Sequence, residues 1–147
     1  MRLAFSKIDE DDLLACSELY VACFREAPWE EDWSIDDVFE RLGDFLSCPK
    51  SFAIKATERG QLCGLLIGAI EQWNGARVFW LKEICVAKEA QRQGIGRRLM
   101  RELEDALSGE GVSRIYLLTQ RDSVPSGFYG SLGFSESTGM ILMRKAL

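Results

Sequence analysis

The chain has 147 residues, 47% of them hydrophobic and 28% charged, the size and make-up of one globular domain with a buried core. Its charge is uneven: residues 1–47 hold 13 acids against 4 bases, a balance of -9, and residues 48–147 carry +4, so the net charge is -5. Histidine is absent, the five cysteines form no CxxC pair, no basic run is interleaved with aromatics, and Leu62–Ile70 is the longest near-apolar stretch; together these argue against a metal site, a nucleic-acid surface and a membrane span. One domain over 1–147 is expected, with a cytoplasmic address, because Met1 to Lys7 lacks a leader-like apolar run. Cys16, Cys23, Cys48, Cys63 and Cys85 read as reduced, several of them in the core.

Arg2 to Ile8 predicts a first strand. Asp9 to Asp12 supply caps and first-turn acids for a helix whose Leu13, Cys16, Tyr20, Cys23 and Phe24 share one face. Ala27-Pro28 ends it, and a short acidic, aromatic connection runs from Glu26 to Trp33. Ser34 with Asp37 resembles a capping box for a second amphipathic helix carrying Ile35, Val38, Phe39, Leu42, Phe45 and Leu46. Strand Ser51 to Thr57 turns at Glu58-Arg59-Gly60 into Gln61 to Trp73, and Asn74-Gly75 is a strong two-residue hairpin signal leading into Ala76 to Val86. A helix from Gly94 to about Ser108 puts Ile95, Leu99, Leu103 and Leu107 on one face, ended by Gly109 and Gly111. Val112 to Thr119 reads as a strand, Ser126 to Leu132 as a short helix, and Phe134 to Lys145 as final strand material. The fold class is mixed α/β.

The informative stretch is Gln91-Arg92-Gln93-Gly94-Ile95-Gly96, between a strand and an arginine-rich helix. A helix N-terminus offers unpaired amides and a partial positive charge, and glycine lets the backbone approach a phosphate closely. Arg92, Arg97, Arg98 and Arg101 add charge suited to a polyanion. Two glycines at a helix start are also compatible with a plain tight turn. GK[ST] is absent, so this is no P-loop, and no third glycine completes a dinucleotide fingerprint.

Gln91-x-x-Gly94-x-Gly96 resembles the pyrophosphate loop of the GNAT superfamily of acetyl-CoA-dependent N-acetyltransferases. Trp80 to Val86 is similar to that family's fourth strand, Phe128-Tyr129-Gly130-Ser131-Leu132-Gly133-Phe134 matches its FYxxxGF motif, and the element order agrees along the chain. The resemblance implies a mostly antiparallel mixed sheet with helices on both faces and a splayed fourth and fifth strand, with acetyl-CoA between them. It implies that Ile84, Cys85 and Val86 face the pantetheine and that Gln91, Arg92, Gln93, Gly94, Ile95, Gly96 and Arg97 hold the pyrophosphate. Asp122 and Pro125 stand where the family often has Asn and Ala, which removes one coenzyme contact. Lys88 replaces a frequent proline.

Amide formation needs a group to take the amine's proton and one to supply a proton to the departing thiolate. Histidine being absent, carboxylates remain for the first task. Glu83 is the first candidate, since similar family members carry an acid there. Read alone, it is equally a solvent-facing strand residue paired with Lys82 or Lys88, and Glu71 is second. Tyr129 matches the family's general acid; read alone, it packs a core edge. The acceptor region of the family corresponds to Trp29, Glu30, Glu31, Asp32 and Trp33, where carboxylates and tryptophan faces suit a cation. A cationic small-molecule amine, polyamine-like or aminoglycoside-like, is therefore the expected acceptor. The tryptophans are equally suited to stapling the two helices. A protein lysine or N-terminal acetyltransferase and a non-catalytic acyl-CoA sensor are the alternatives. Many family members dimerise, which makes a homodimer using the tail from Phe134 the corresponding expectation here.

Overall fold

The computed structural model describes residues 2–147. Strands β1 (Leu3–Lys7), β2 (Ser51–Glu58), β3 (Gln61–Trp73), β4 (Ala76–Val86) and β5 (Val112–Tyr116) form one sheet in that spatial order. Helices α1 (Leu13–Arg25) and α2 (Ile35–Ser47) lie between β1 and β2, α3 (Ile95–Leu107) between β4 and β5, and α4 (Val124–Ser131) after β5. The first four strands are antiparallel and β5 runs parallel to β4. Tight turns set this meander. Arg59 and Gly60 both take positive φ, 52° and 78°, the pair of left-handed conformations that a type I′ hairpin requires; at the Asn74-Gly75 turn only Gly75 is left-handed, at 73°.

Asp9 forms a capping box with Asp12. At α2 only half of the expected box forms: the Ser34 side chain accepts the Asp37 amide at 3.1 Å, with no return bond from Asp37. The inward residues of α1 are all buried and pack on Ala53, Leu65, Ile67 and Cys85 of the sheet, together with Val38 and Leu42 of α2. On the opposite face Ile95, Leu99, Leu103 and Leu107 of α3 are buried against Ile54, Leu66, Phe79 and Leu81. Each of these large side chains contributes about 1.5–3 kcal/mol of transfer free energy. Four cysteines are buried, Cys48 is exposed, and all five are free thiols. No helix among the described residues is long and apolar enough to cross a membrane.

Four expectations need correction. On α2, Ile35 and Phe39 are exposed, because Val38 and Leu42 alone point squarely at the sheet. β5 stops at Tyr116 rather than Thr119, since β4 has diverged and offers no further partner. Helix α4 starts earlier, at Val124: Ser123 caps it through Ser126, and Pro125 occupies a first-turn position where no N–H is needed. The segment Phe134 to Lys145 forms no strand. Its beginning is tied back by the Phe134 amide on Tyr129 O at 3.1 Å and by the Arg121–Glu136 ion pair. Met140, Ile141, Leu142 and Met143 then run out 73–80% exposed. A strand needs a neighbour's backbone groups, and none within the chain lies along this one.

Candidate active site

The β4–β5 ladder covers only Arg77 to Trp80 against Val112 to Tyr116. Beyond it the strands part, as expected, and residues 81–86 keep only β3 as a strand neighbour. That free half of β4 carries a bulge. Leu81 lies opposite Gly68 and Glu83 opposite Ile67, so Lys82 is an extra residue. Side-chain parity changes across it: Phe79 and Leu81 join the α3 core, whereas Glu83 and Cys85 turn to α1 and α2. With regular alternation through Lys82, Glu83 would share Leu81's face. Gly68 makes room, for a Cβ there would strike the Trp80 carbonyl oxygen and lie 2.6 Å from the Phe79 ring.

Turned this way, Glu83 meets two residues that the motifs did not single out as functional. Its Oε1 accepts from Arg41 Nη2 at 2.7 Å, from Arg41 Nε at 3.3 Å and from the Tyr20 hydroxyl at 3.0 Å. Burial raises the Glu83 carboxyl above its ordinary range; Arg41 and Tyr20 pull it down, and Glu31 adds a smaller upward push. Burial opposes the charged form of Arg41, but the Glu83 contact outweighs it and holds the guanidinium more firmly charged. The Tyr20 phenol is pushed up by burial and then by the Glu83 charge. Glu83 is thus no solvent-facing partner of Lys82 or Lys88: Lys82 lies over the Trp80 ring and Lys88 pairs with Glu26. Glu71 stays at the hairpin end, accepting from Trp73 Nε1 at 2.7 Å.

Across the opening lies the glycine loop. Gly94 caps α3 with φ 78°, a conformation open to glycine at little cost, and Arg92 is also left-handed at 63°. The first-turn amides of Ile95, Gly96 and Arg97 have no intrahelical acceptor. Gln91 turns its side chain back, Nε2 donating to Val86 O at 3.1 Å, which ties the loop to the end of β4. Gln93 is exposed and Ile95 is buried in the core. A Cβ on Gly96 would sit 3.2 Å from the Phe128 ring, so the two sequence motifs meet there. Arg97 donates to Ser131 Oγ of α4 at 3.2 Å, whereas Arg98 stacks on Phe5 and points elsewhere.

Tyr129 is half-buried between the edges of Phe128 and Phe134, ring centroids 5.3 and 5.6 Å away. Burial pushes its phenol up to about 12, and the Glu83 charge adds to the rise. Cys85 is held well above the usual thiol range by the neighbouring Cys23 thiol and by burial, and the Cys23 thiol donates to Val86 O at 3.3 Å.

The connection between α1 and α2 forms the other wall. Trp33 meets Tyr20 of α1 edge-on at 5.5 Å and lies under Arg41 of α2, so it joins the helix pair, whereas Trp29 meets Phe24 of α1 at 5.0 Å and is exposed. Glu30, Glu31 and Asp32 are exposed, with Glu31 accepting from Trp33 Nε1 at 3.2 Å. The cation over Trp33 is Arg41, 5.5 Å from its ring centre and 4.8 Å from that of Phe45. A signal for Arg41 was present: it falls on the Val38–Phe45 stripe of α2, an unusual place for a lone arginine.

The family model described as acetyltransferase (GNAT) family matches residues 13–134. The chain belongs to the GNAT family. It is 30% identical over 112 residues to the Escherichia coli K12 [ribosomal protein bS18]-alanine N-acetyltransferase, covering 76% of this chain and 67% of that one. It is 29% identical over 103 residues to an uncharacterised N-acetyltransferase of Chlorobaculum tepidum, covering 70% of this chain and only 57% of the relative. A possible acetyltransferase from Clostridium difficile 630 has the same GNAT fold, with TM-score 0.84, 15% identity and coverage of 100% and 99%. An aminoglycoside N-acetyltransferase in complex with CoA superposes at TM-score 0.78, with 17% identity and coverage of 99% and 96%.

Proposed function

We propose that this GNAT protein is a single-domain enzyme over 1–147 that moves an acetyl group from acetyl-CoA to a primary amine. The observation that carries the reading is the opening beyond Trp80 and Tyr116, bordered by the half of β4 that bears Glu83 and by the glycine loop, against which Phe128, next to Tyr129, packs at Gly96. The residues fit the coenzyme: Gly94 leaves open space before the first-turn amides of α3, and the edge of Ile84 and Cys85, which β5 does not pair, offers backbone groups to an amide-bearing arm. Arg92 and Arg97 supply charge to the phosphates. Acetyl-CoA, when bound, supplies an activated thioester. Glu83 accepts the amine's proton, directly or through a water, as the C–N bond forms. Tyr129 donates its proton to the sulfur as the C–S bond breaks, and a phenol near 12 stays protonated for that task.

The acceptor in this reading is a small cation. Glu30, Glu31 and Asp32 stand exposed beside the site, and Glu31 is near enough to act on Glu83. The second reading, acetylation of a protein N-terminus, is favoured by the 30% identity to the ribosomal-protein enzyme. Mass spectrometry of products from acetyl-CoA with polyamines, aminoglycosides, amino acids and peptides separates them. Acetylated polyamine or aminoglycoside supports the first; peptide products alone move the assignment to the second; bound acetyl-CoA without any product points to a sensor. Replacing Glu30, Glu31 and Asp32 by lysine should raise the KM of a cationic acceptor about tenfold, and an unchanged KM would remove the acidic loop from the site. Five free thiols fit a reducing, cytoplasmic address.

The same reading includes a homodimer. β5 is an unpaired sheet edge, and an open groove of about 580 Å³ lined by β5, Leu107, Leu132 and Phe134 runs beside it. Met140–Arg144 matches β5 in length at five residues, and its four successive apolar side chains suit a strand covered on both faces. The occupant we assign to the groove is the tail of a second copy, exchanged reciprocally so that the pair closes.

A further inference from the structure

Arg41 has no part in the reading above, yet it sits at the centre of the site. An arginine on an inward helical stripe carries a desolvation cost unless something there needs it. Its guanidinium lies against Trp33 and Phe45 and delivers two bonds to one oxygen of Glu83, with the Tyr20 hydroxyl as the third donor to that same atom. None of these bonds reaches Oε2. The Glu83 side chain is 12% exposed, and no buried side-chain oxygen among the described residues lacks a partner, so Oε2 is the atom that meets solvent.

We propose that Arg41 is a positioning residue for Glu83: together with Tyr20 it pins Oε1, leaving Oε2 aimed at the opening to take the acceptor's proton. This rests on Glu83 being the base. The groups facing Glu83 are Tyr20 of α1, Arg41 of α2, Glu31 of the α1–α2 connection and Tyr129 of α4, with Cys85 on its own strand. Arg41 is the one cation in that set. A carboxyl so deeply placed favours its neutral form when alone, and a neutral carboxyl cannot accept a proton. Arg41 therefore sets both the orientation of the base and the pH at which it is available.

The test reads Glu83 directly. Protein labelled with ¹³C-glutamate is titrated by NMR, the Glu83 carboxyl signal being the one lost in Glu83→Gln. Removing the guanidinium removes a group that favours the charged carboxylate, so in Arg41→Met the midpoint should rise by about one pH unit or more. Arg41→Lys keeps a charge without the two-pronged geometry and should recover only part of that rise. Tyr20→Phe should give a smaller rise. The acid limb of kcat for an acceptor found in the product screen should move with the midpoint. A midpoint that stays put in folded Arg41→Met, or in Arg41→Lys and Tyr20→Phe should the methionine variant not fold, overturns the proposal. A midpoint that moves while the acid limb does not overturns it too. Full activity in Glu83→Gln would overturn the assignment of Glu83 as base, a failure distinct from that of Arg41.

Discussion

Tyr129 and Glu83 illustrate how much one residue's environment decides. The tyrosine is legible from its motif, but its readiness to hold a proton comes from packing between Phe128 and Phe134 and from the carboxylate it faces. Tyr129→Phe keeps the ring and removes only the donor. Its kcat should fall about 100-fold while acetyl-CoA affinity, measured by calorimetry, stays nearly unchanged; lost affinity would mean that the hydroxyl is structural. Glu83 was legible as a candidate because histidine is missing and an acid stands on the right strand. Its partners were not. Arg41 is 42 residues away and Tyr20 is 63 away, and nothing local in the chain says that they meet.

At the scale of the element, the bulge at Lys82 is what makes the site. Strand β4 is plain in the sequence, with matching bounds, but strict alternation would put Glu83 on the face of Leu81. The extra residue moves it to the face of α1 and α2, and Gly68 is the position that lets the backbones close at that point. Gly68→Ala should therefore destabilise the protein by about 1–3 kcal/mol in urea unfolding. It should also lower kcat even where the protein is fully folded, because the carboxylate is re-aimed. Stability equal to the parent would show that the bulge absorbs a methyl group. The glycine loop differs: Gly94 faces open space and is needed for its φ, whereas Gly96 is needed for its contact with Phe128.

At the scale of the whole molecule, the charge split and the unpaired tail are the two features to account for. Acids concentrate in the first third, which includes the connection between α1 and α2 proposed to border the acceptor, and the arginines follow at the start of α3. The tail is tested by size and by cross-linking. Light scattering should give twice 16.6 kDa for the parent and a single chain for Ile141→Asp/Leu142→Asp, with circular dichroism confirming that the variant is folded. Mixed Arg114→Cys and Leu142→Cys proteins should form a disulfide between chains. A parent that is monomeric at all concentrations, or mixed variants that form no 114–142 disulfide between chains, would overturn the assignment of the groove to a second copy's tail.

The order of elements through α4, the caps before α1 and α2, the hairpin positions, the buried stripe of α3 and the two motifs are all written in short stretches of sequence, because each depends on neighbours within a few residues. The face on which Glu83 emerges, the pairing of Glu83 with Arg41 and Tyr20, the early end of β5 and the exposure of the tail depend on backbones and side chains distant in sequence. Register is a property of two strands, and the ionisation of a carboxylate is a property of everything packed around it, so only the tertiary structure could decide them.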